Sequence, residues 1–345
     1  MRVLVLCGGA SSERNVSYAS GDSVATWVAA LGHEVWKYDP EQIGHLFTPD
    51  HKLSSGVIGT DAPEPGGLGG FDARVVRGLL DTIERQRIEF VFPILHGGYG
   101  EDGTVQSLLE WVAVPYAGSG PRSCAVAMHK PTAKHLMSAA NVPVPQGFAV
   151  EYPELADTER ITQRIAREFG FPAIIKPQSG GSTIGLTIAK AEADVPGALE
   201  QIRAQRDGAL IEKLFAGSEI AATVIDGQAF PLVEIRPKEG FYDYANKYTA
   251  GRTEYICPAE LPAEVTNGIQ RAAERAFQAL DARGFARVDF LVHERDFVCL
   301  ELNSLPGMTA TSLVPKAARA HGWSAEELIG RIMDRALNAV ADRRA

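Results

Sequence analysis

Cysteine is scarce. The chain of 345 residues has four, Cys7, Cys124, Cys257 and Cys299, far apart and with no Cys-X-X-Cys pair. That argues against a zinc site and fits a reducing compartment. Long apolar runs are missing too, and none approaches the roughly 20 residues that cross a bilayer. Basic residues are outnumbered, 34 against 43 acidic, for a net charge of −9 with no long basic run. Neither nucleic acid nor an anionic membrane is therefore an expected partner, and any phosphate must be held by local lysines and backbone amides. No internal repeat or low-complexity segment is present. Met1-Arg2 runs directly into VLVLCGG, which reads as a strand and not as a secretory leader, so a soluble cytoplasmic protein is expected.

What is present is ordinary in bulk, with 45% hydrophobic and 22% charged residues, and long enough for two or three domains. RVLVLCGGASSERNVS reads as a buried strand, a glycine turn and a helix start. The helix runs on to about Gly32, and EVWKYD is a second strand. Residues 44–72, rich in Gly, Pro and Asp, read as a long surface loop. A helix near 72–87, strand FVFPIL, helix TVQSLLEWV and strand VPYAG follow. This alternation predicts an α/β fold whose first 120 or so residues form a doubly wound parallel sheet. A single helix is expected over about 122–140, then strands PAIIKP, TIGLTIAK and ALIEKLF around a glycine-rich loop. EIAATVI and AFPLVEI should pair across Asp226-Gly227. A helix over 262–283, the strand pair FARVDFLV and FVCLELN joined by HERD, and two short helices close the chain.

The chemistry gathers at strand ends. In VCLELNSLPGMTATS, Glu301 and Asn303 share a face by the strand period of two, as do Arg287 and Asp289 in RVD. If the two strands pair in that register, Asp289, Glu301 and Asn303 form an all-oxygen cluster of the kind that suits Mg²⁺. Taken alone, the same pattern is a solvated hairpin face. IIKPQSGGSTIG places Lys176 before small residues whose amides can face an anion; it is neither a Walker A loop nor a GxGxxG, and a plain glycine hairpin reads equally well. Glu212 ends an apolar strand, either lining a nucleotide base or simply amphipathic. His96 in LHGGYGEDG and Glu13 in GGASSERNVS both follow strands, where open α/β sheets bind ligands.

Together, GGxSxERxVS, LHGxxGEDG, PYxGSG, KP…GSTIG, IEKxxxGxE, FYDYxxKY and ExNxxPGMTxxSLVP resemble the D-alanine–D-alanine ligase family of the ATP-grasp superfamily. The resemblance covers nearly the whole chain in order, apart from 44–72. It implies an N-terminal domain over 1–121 that binds the first substrate. A central ATP-grasp part over 122–216 and a C-terminal part over 217–345, with a lid at 238–256, would grip ATP. The implied reaction phosphorylates one D-alanine, whose acyl phosphate the amine of a second attacks, giving a cell-wall precursor. A related ligase making another D-amino-acid dipeptide or a depsipeptide is the alternative; a catalytically dead nucleotide-binding module is disfavoured because every metal ligand is present.

Carried over by position, the resemblance makes Asp289, Glu301 and Asn303 ligands of two Mg²⁺ ions, with Mn²⁺ able to substitute. Lys130 and Lys176 become phosphate ligands. Glu212, Lys213, Phe215, Glu219 and Phe241 surround adenine and ribose. Glu13 takes the first substrate's ammonium with His96 close to it, Ser182 and Tyr248 form a positioning pair, and Arg287 with the Gly307 amide stabilises the oxyanion. Ser312 and Leu313 bound the second-substrate pocket. A homodimer is also implied. The sequence departs from the family pattern at Asn15, at His129, where an Asp is common, and at Gly180, where some members carry a Glu.

Overall fold

The computed structural model describes residues 1–54, 71–181, 185–238 and 252–344. The first sheet is built on β1 (Arg2–Leu6), whose Val3, Leu4, Val5 and Leu6 are fully buried. It lies parallel between β2 (Glu34–Tyr38) and β4 (Phe90–Pro93). A strand buried on both faces needs helices on each side, and these are α1 (Arg14–Ala30), α2 (Ala73–Arg85) and α3 (Thr104–Trp111). The expected strand VPYAG is reduced to a single bridge, Tyr116 to Val91.

The stretch expected as one long loop from residue 44 is more ordered than its composition suggests. β3 (Leu46–Phe47) pairs antiparallel with β2. Residues 51–54 then fold back onto α1. The Asp22 carboxylate accepts from the amides of Leu53 and Ser54, each at 3.1–3.2 Å, and from the Ser54 hydroxyl at 2.9 Å. Lys37, fully buried, meets Asp22 Oδ1 at 2.5 Å and donates to the His51 carbonyl. Residues 55–70 lie outside the described set. Burial alone would raise the Asp22 pKa; Lys37 and the Ser54 and Leu53 groups outweigh it and hold the carboxyl below its usual 3.8. The stability it contributes is therefore present above pH 3.8 and lost as pH falls through the lower folded value. Asp22→Asn should cost about 3 kcal/mol at pH 7, because it leaves a buried ammonium without its counter-charge. The gap from wild type in urea midpoint should close in acid. A gap that persists unchanged at pH 2.5 would rule out the carboxylate as its origin.

The helix expected over 122–140 is two helices, α4 (Pro121–Met128) and α5 (Lys130–Ala139). Pro131 supplies no N–H to an ongoing helix and its ring would strike the preceding turn. His129 is extended between them and caps α5, with Nδ1 3.4 Å from the Thr132 amide. It thus serves as the N-cap acceptor of α5. The break also frees the Lys130 amide to bond the Gln178 carbonyl at 2.9 Å.

The second sheet is antiparallel, in the order β5 (Gly147–Val150), β8 (Ala209–Lys213), β6 (Ala173–Pro177), β7 (Thr187–Ala189). α6 (Thr158–Glu168) and α7 (Val195–Ala204) pack with it around Ile161, Ile165, Ile175, Leu199 and Ile211. Ile175 and Ile211 are register partners on that face, so Lys176 and Glu212 point to the other.

The third sheet runs β12 (Thr253–Ile256), β11 (Val233–Pro237), β9 (Ser218–Ile225), β13 (Phe285–His293), β14 (Asp296–Asn303), with β10 (Gln228–Ala229) paired to β9. The expected strand AFPLVEI is split at Phe230-Pro231-Leu232, because Pro231 has no donor for the ladder. α8 (Ala263–Ala279) covers one face through Ile220, Ala222, Val288 and Phe290. The other face, with Ala221, Val233, Ile235 and Phe285, shares a core with α1 and with the helix over 313–320, which contacts β9 and β11. α9 (Leu313–Ala320) is short, as expected, whereas α10 (Ala325–Arg344) is 20 residues long and packs along α1.

Candidate active site

The β13–β14 register places Asp289 opposite Glu301 and Arg287 opposite Asn303. Cross-strand partners share a face, so the four side chains emerge together, away from α8. Strict alternation does not run the whole length of β14. Phe290 pairs with Cys299, so Leu300 is an extra residue in a bulge, and Cys299 and Leu302 both enter the α8 core. Such a bulge re-aims the residues beyond it, here Glu301 and Asn303. Arg287 grips Asp289 through Nε at 2.8 and 3.1 Å and through its terminal nitrogen at 2.8 Å. Asn303 Oδ1 accepts from the Leu305 amide at 2.9 Å and so fixes the turn that leads to Gly307.

Opposite this face, α5 and the second sheet bring in three lysines. Glu212, buried, lies between Lys134 Nζ at 2.8 Å and Lys176 Nζ at 2.7 Å. Burial would raise the Glu212 pKa, but the two lysines outweigh it and lower it. Burial lowers Lys134 more than Glu212 raises it. Lys130 donates to the carbonyls of Ser179 and Gly180, at 3.2 and 2.6 Å. Burial pushes its pKa down to about 8 against the pull of Glu301, its strongest charged neighbour. Gly180 holds a left-handed φ of +82° with open space where a Cβ would stand; glycine presents that carbonyl without strain. Lys134 was not singled out from the sequence. Its one signal is its place one helical turn after Lys130.

The first-sheet residues cluster separately. The residues before α1 place Glu13 so that its Oε2 lies 3.6 Å from where a Cβ on Gly97 would stand. His96, buried, has Nδ1 3.6 Å from Glu101 Oε1. Burial, and secondarily Glu13, raise the Glu101 pKa against the opposing His96 bond. Glu101 also escaped the sequence reading, although it stands in the same GGYGED turn. Ser312 Oγ accepts from the Thr309 amide at 3.0 Å, and Leu313 is buried beside it at the start of α9. Lys213 is exposed at the end of β8, Phe215 is half-buried just after it, and Glu219 is the second residue of β9. Ser182, Phe241 and Tyr248 lie outside the described residues, as does most of the 238–256 segment.

Among the described residues no three His, Cys, Asp or Glu side chains group closely enough to hold a metal by themselves. The set at β13 and β14 is two carboxylates and an amide. Hard oxygens of that number fit a Mg²⁺ ion that completes its shell with phosphate and water. The three lysines fit the phosphates.

A first sheet whose β1 is parallel to both neighbours, with two antiparallel sheets that bring buried lysines toward the β13–β14 carboxylates, is the arrangement of the ATP-grasp fold. The family described as D-ala D-ala ligase N-terminus matches residues 2–119, and that described as D-ala D-ala ligase C-terminus matches residues 136–334. D-alanine–D-alanine ligase from Syntrophotalea carbinolica is 38% identical over 96% of this chain and 95% of its own. The enzyme of that name from Gloeobacter violaceus is 38% identical over 98% and 100%. The crystal structure of D-alanine–D-alanine ligase from Bacillus anthracis complexed with ATP superposes with a TM-score of 0.75, at 27% identity and 99% coverage of both chains. The chain belongs to the D-alanine–D-alanine ligase family.

Proposed function

We propose that this protein joins two D-alanines, using ATP, into D-alanyl-D-alanine for peptidoglycan, as a carbon–nitrogen ligase. The observation that carries the reading is the lysine cluster facing the Asp289–Glu301 pair, in a chain matched along its length by ligases of that name. The proposed units are 1–121, 122–216 and 217–345.

In the proposed reaction a carboxylate oxygen of the first D-alanine attacks the γ-phosphorus of ATP, and the bond to ADP breaks. Lys130 and Lys176 hold the phosphate oxygens, with Lys134 and Glu212 fixing Lys176. Glu212, Lys213, Phe215, Glu219 and Phe241 line the adenosine. Asp289, Glu301 and Asn303 would hold Mg²⁺, which when bound offsets phosphate charge. The free amine of the second D-alanine, placed by Ser312 and Leu313, then attacks the acyl carbon. Arg287 and the Gly307 amide meet the developing oxyanion, and phosphate leaves. Glu13 retains the first ammonium with His96 close to it, and Ser182 and Tyr248 form the proposed positioning pair. A cytoplasmic homodimer is the proposed working form.

The test is ADP release with a panel of D- and L-amino acids, with products resolved by mass, and D-alanine set against D-lactate over pH 6–9. D-Alanyl-D-alanine should dominate from neutral pH upward. A depsipeptide as the main product at pH 7 would replace the second substrate by a hydroxy acid.

A further inference from the structure

Ser20 lies within α1, fully buried, one turn after Ser17 on the face turned to the sheet ends. A buried hydroxyl needs partners. Ser23 and Thr26 of the same helix give their protons back to the carbonyls of Ala19 and Asp22. Ser20 Oγ instead lies 3.1 Å from His96 Nε2 and accepts from the Met308 amide at 3.2 Å. A hydroxyl has one proton. The amide occupies one lone pair of the oxygen, and among the contacts described Nε2 is the one acceptor within reach of the hydroxyl proton, so Nε2 accepts it. The ring proton of His96 sits on Nδ1, toward Glu101 Oε1 at 3.6 Å. The opposite end of the bond chain is equally placed. Met308 adjoins Gly307, where an added Cβ would stand 3.1 Å from Ser312 Oγ and 4.0 Å from Ser20 Oγ.

We propose that Ser20 is a positioning residue: one hydroxyl sets the Nδ1–H tautomer of His96 and anchors the Gly307-Met308 turn, coupling the first-substrate loop to the turn beyond the metal-binding strand. The kinetic consequence rests on the function proposed above; the tautomer and the anchored amide do not. No other group within α1 could do both, because only Ser20 touches both segments at once among the contacts described.

Ring ¹⁵N spectra of the histidines, with His96→Gln to assign the signal, test the bond order directly. The wild type should show a protonated Nδ1 and an accepting Nε2. Ser20→Ala should move the signal toward the other tautomer and speed hydrogen exchange at the Met308 amide at least tenfold. Ser20→Cys, close in shape and a weaker donor, should fall between. The KM for the first D-alanine should rise about tenfold in Ser20→Ala with the KM for ATP unchanged, and the same change in a His96→Gln background should add little. A wild-type ring protonated on Nε2, or a ring signal indifferent to both Ser20 variants, overturns the proposal. The stated tautomer with an unmoved KM would instead overturn the substrate reading of His96.

Discussion

Asp289→Asn should lower kcat about a thousandfold while the protein still folds. A metal that offsets phosphate charge contributes several kcal/mol to a transition state, and about 4 kcal/mol is a thousandfold at 1.36 kcal/mol per decade. The substitution has a second consequence, because Asp289 is also the bidentate partner of Arg287. A lost turnover could therefore come from a displaced guanidinium. Glu301→Gln separates the two causes, since it leaves the Arg287–Asp289 pair intact and removes only the carboxylate across the ladder. Both variants should lose turnover to a similar degree and require more Mg²⁺ for half-maximal rate, with the melting temperature near that of wild type for Glu301→Gln and lower, but still cooperative, for Asp289→Asn, which breaks the Arg287 pair. Full activity in both, or turnover by the wild type without any divalent cation, would dismiss the metal assignment.

The strand face that carries these residues was legible because a period of two needs only the sequence, and the register needed only the HERD turn between two apolar runs. The bulge at Leu300 was not. It depends on Cys299 finding a place in the α8 core beside Met137, a tertiary preference that no local pattern encodes. The helix break at His129 could have been read from Pro131, whose ring forbids a continuous helix, but the apolar periodicity on either side masked it. The ordered return of residues 51–54 was hidden for a different reason. Its polar composition is that of a loop, and its order comes from one carboxylate on α1 that lies 31 residues away in sequence from Leu53. The site followed the same division. Strand-end motifs singled out their candidates, whereas Lys134 is defined by the buried Glu212 brought in from another element, which only the fold reveals, and Glu101 by His96 of its own turn.

Glu212 and Lys134 allow the sharpest separation of stability from binding. Two ammonium groups share one carboxylate, so the buried triad carries an excess of one positive charge. Glu212→Gln removes the only negative member and leaves Lys134 and Lys176 facing each other; the cost should be about 3–5 kcal/mol of stability, the range for a buried charge stripped of its partner. Lys134→Met behaves differently. It leaves Glu212 and Lys176 as a one-to-one pair, and it removes a cation whose pKa burial has already lowered, that is, one the folded state holds at a cost. Its stability should stay within about 1 kcal/mol of wild type. ATP should nonetheless bind about tenfold more weakly, since one charge at roughly 10 Å with an effective dielectric near 20 is worth about 1.7 kcal/mol. Urea midpoints and calorimetric titration of ATP on the two variants measure both quantities. A harmless Glu212→Gln would mean that the carboxylate does not hold the two lysines, and a Lys134→Met protein that unfolds early while binding ATP as well as wild type would mean that the triad is a structural clamp and not an electrostatic reserve for the phosphates.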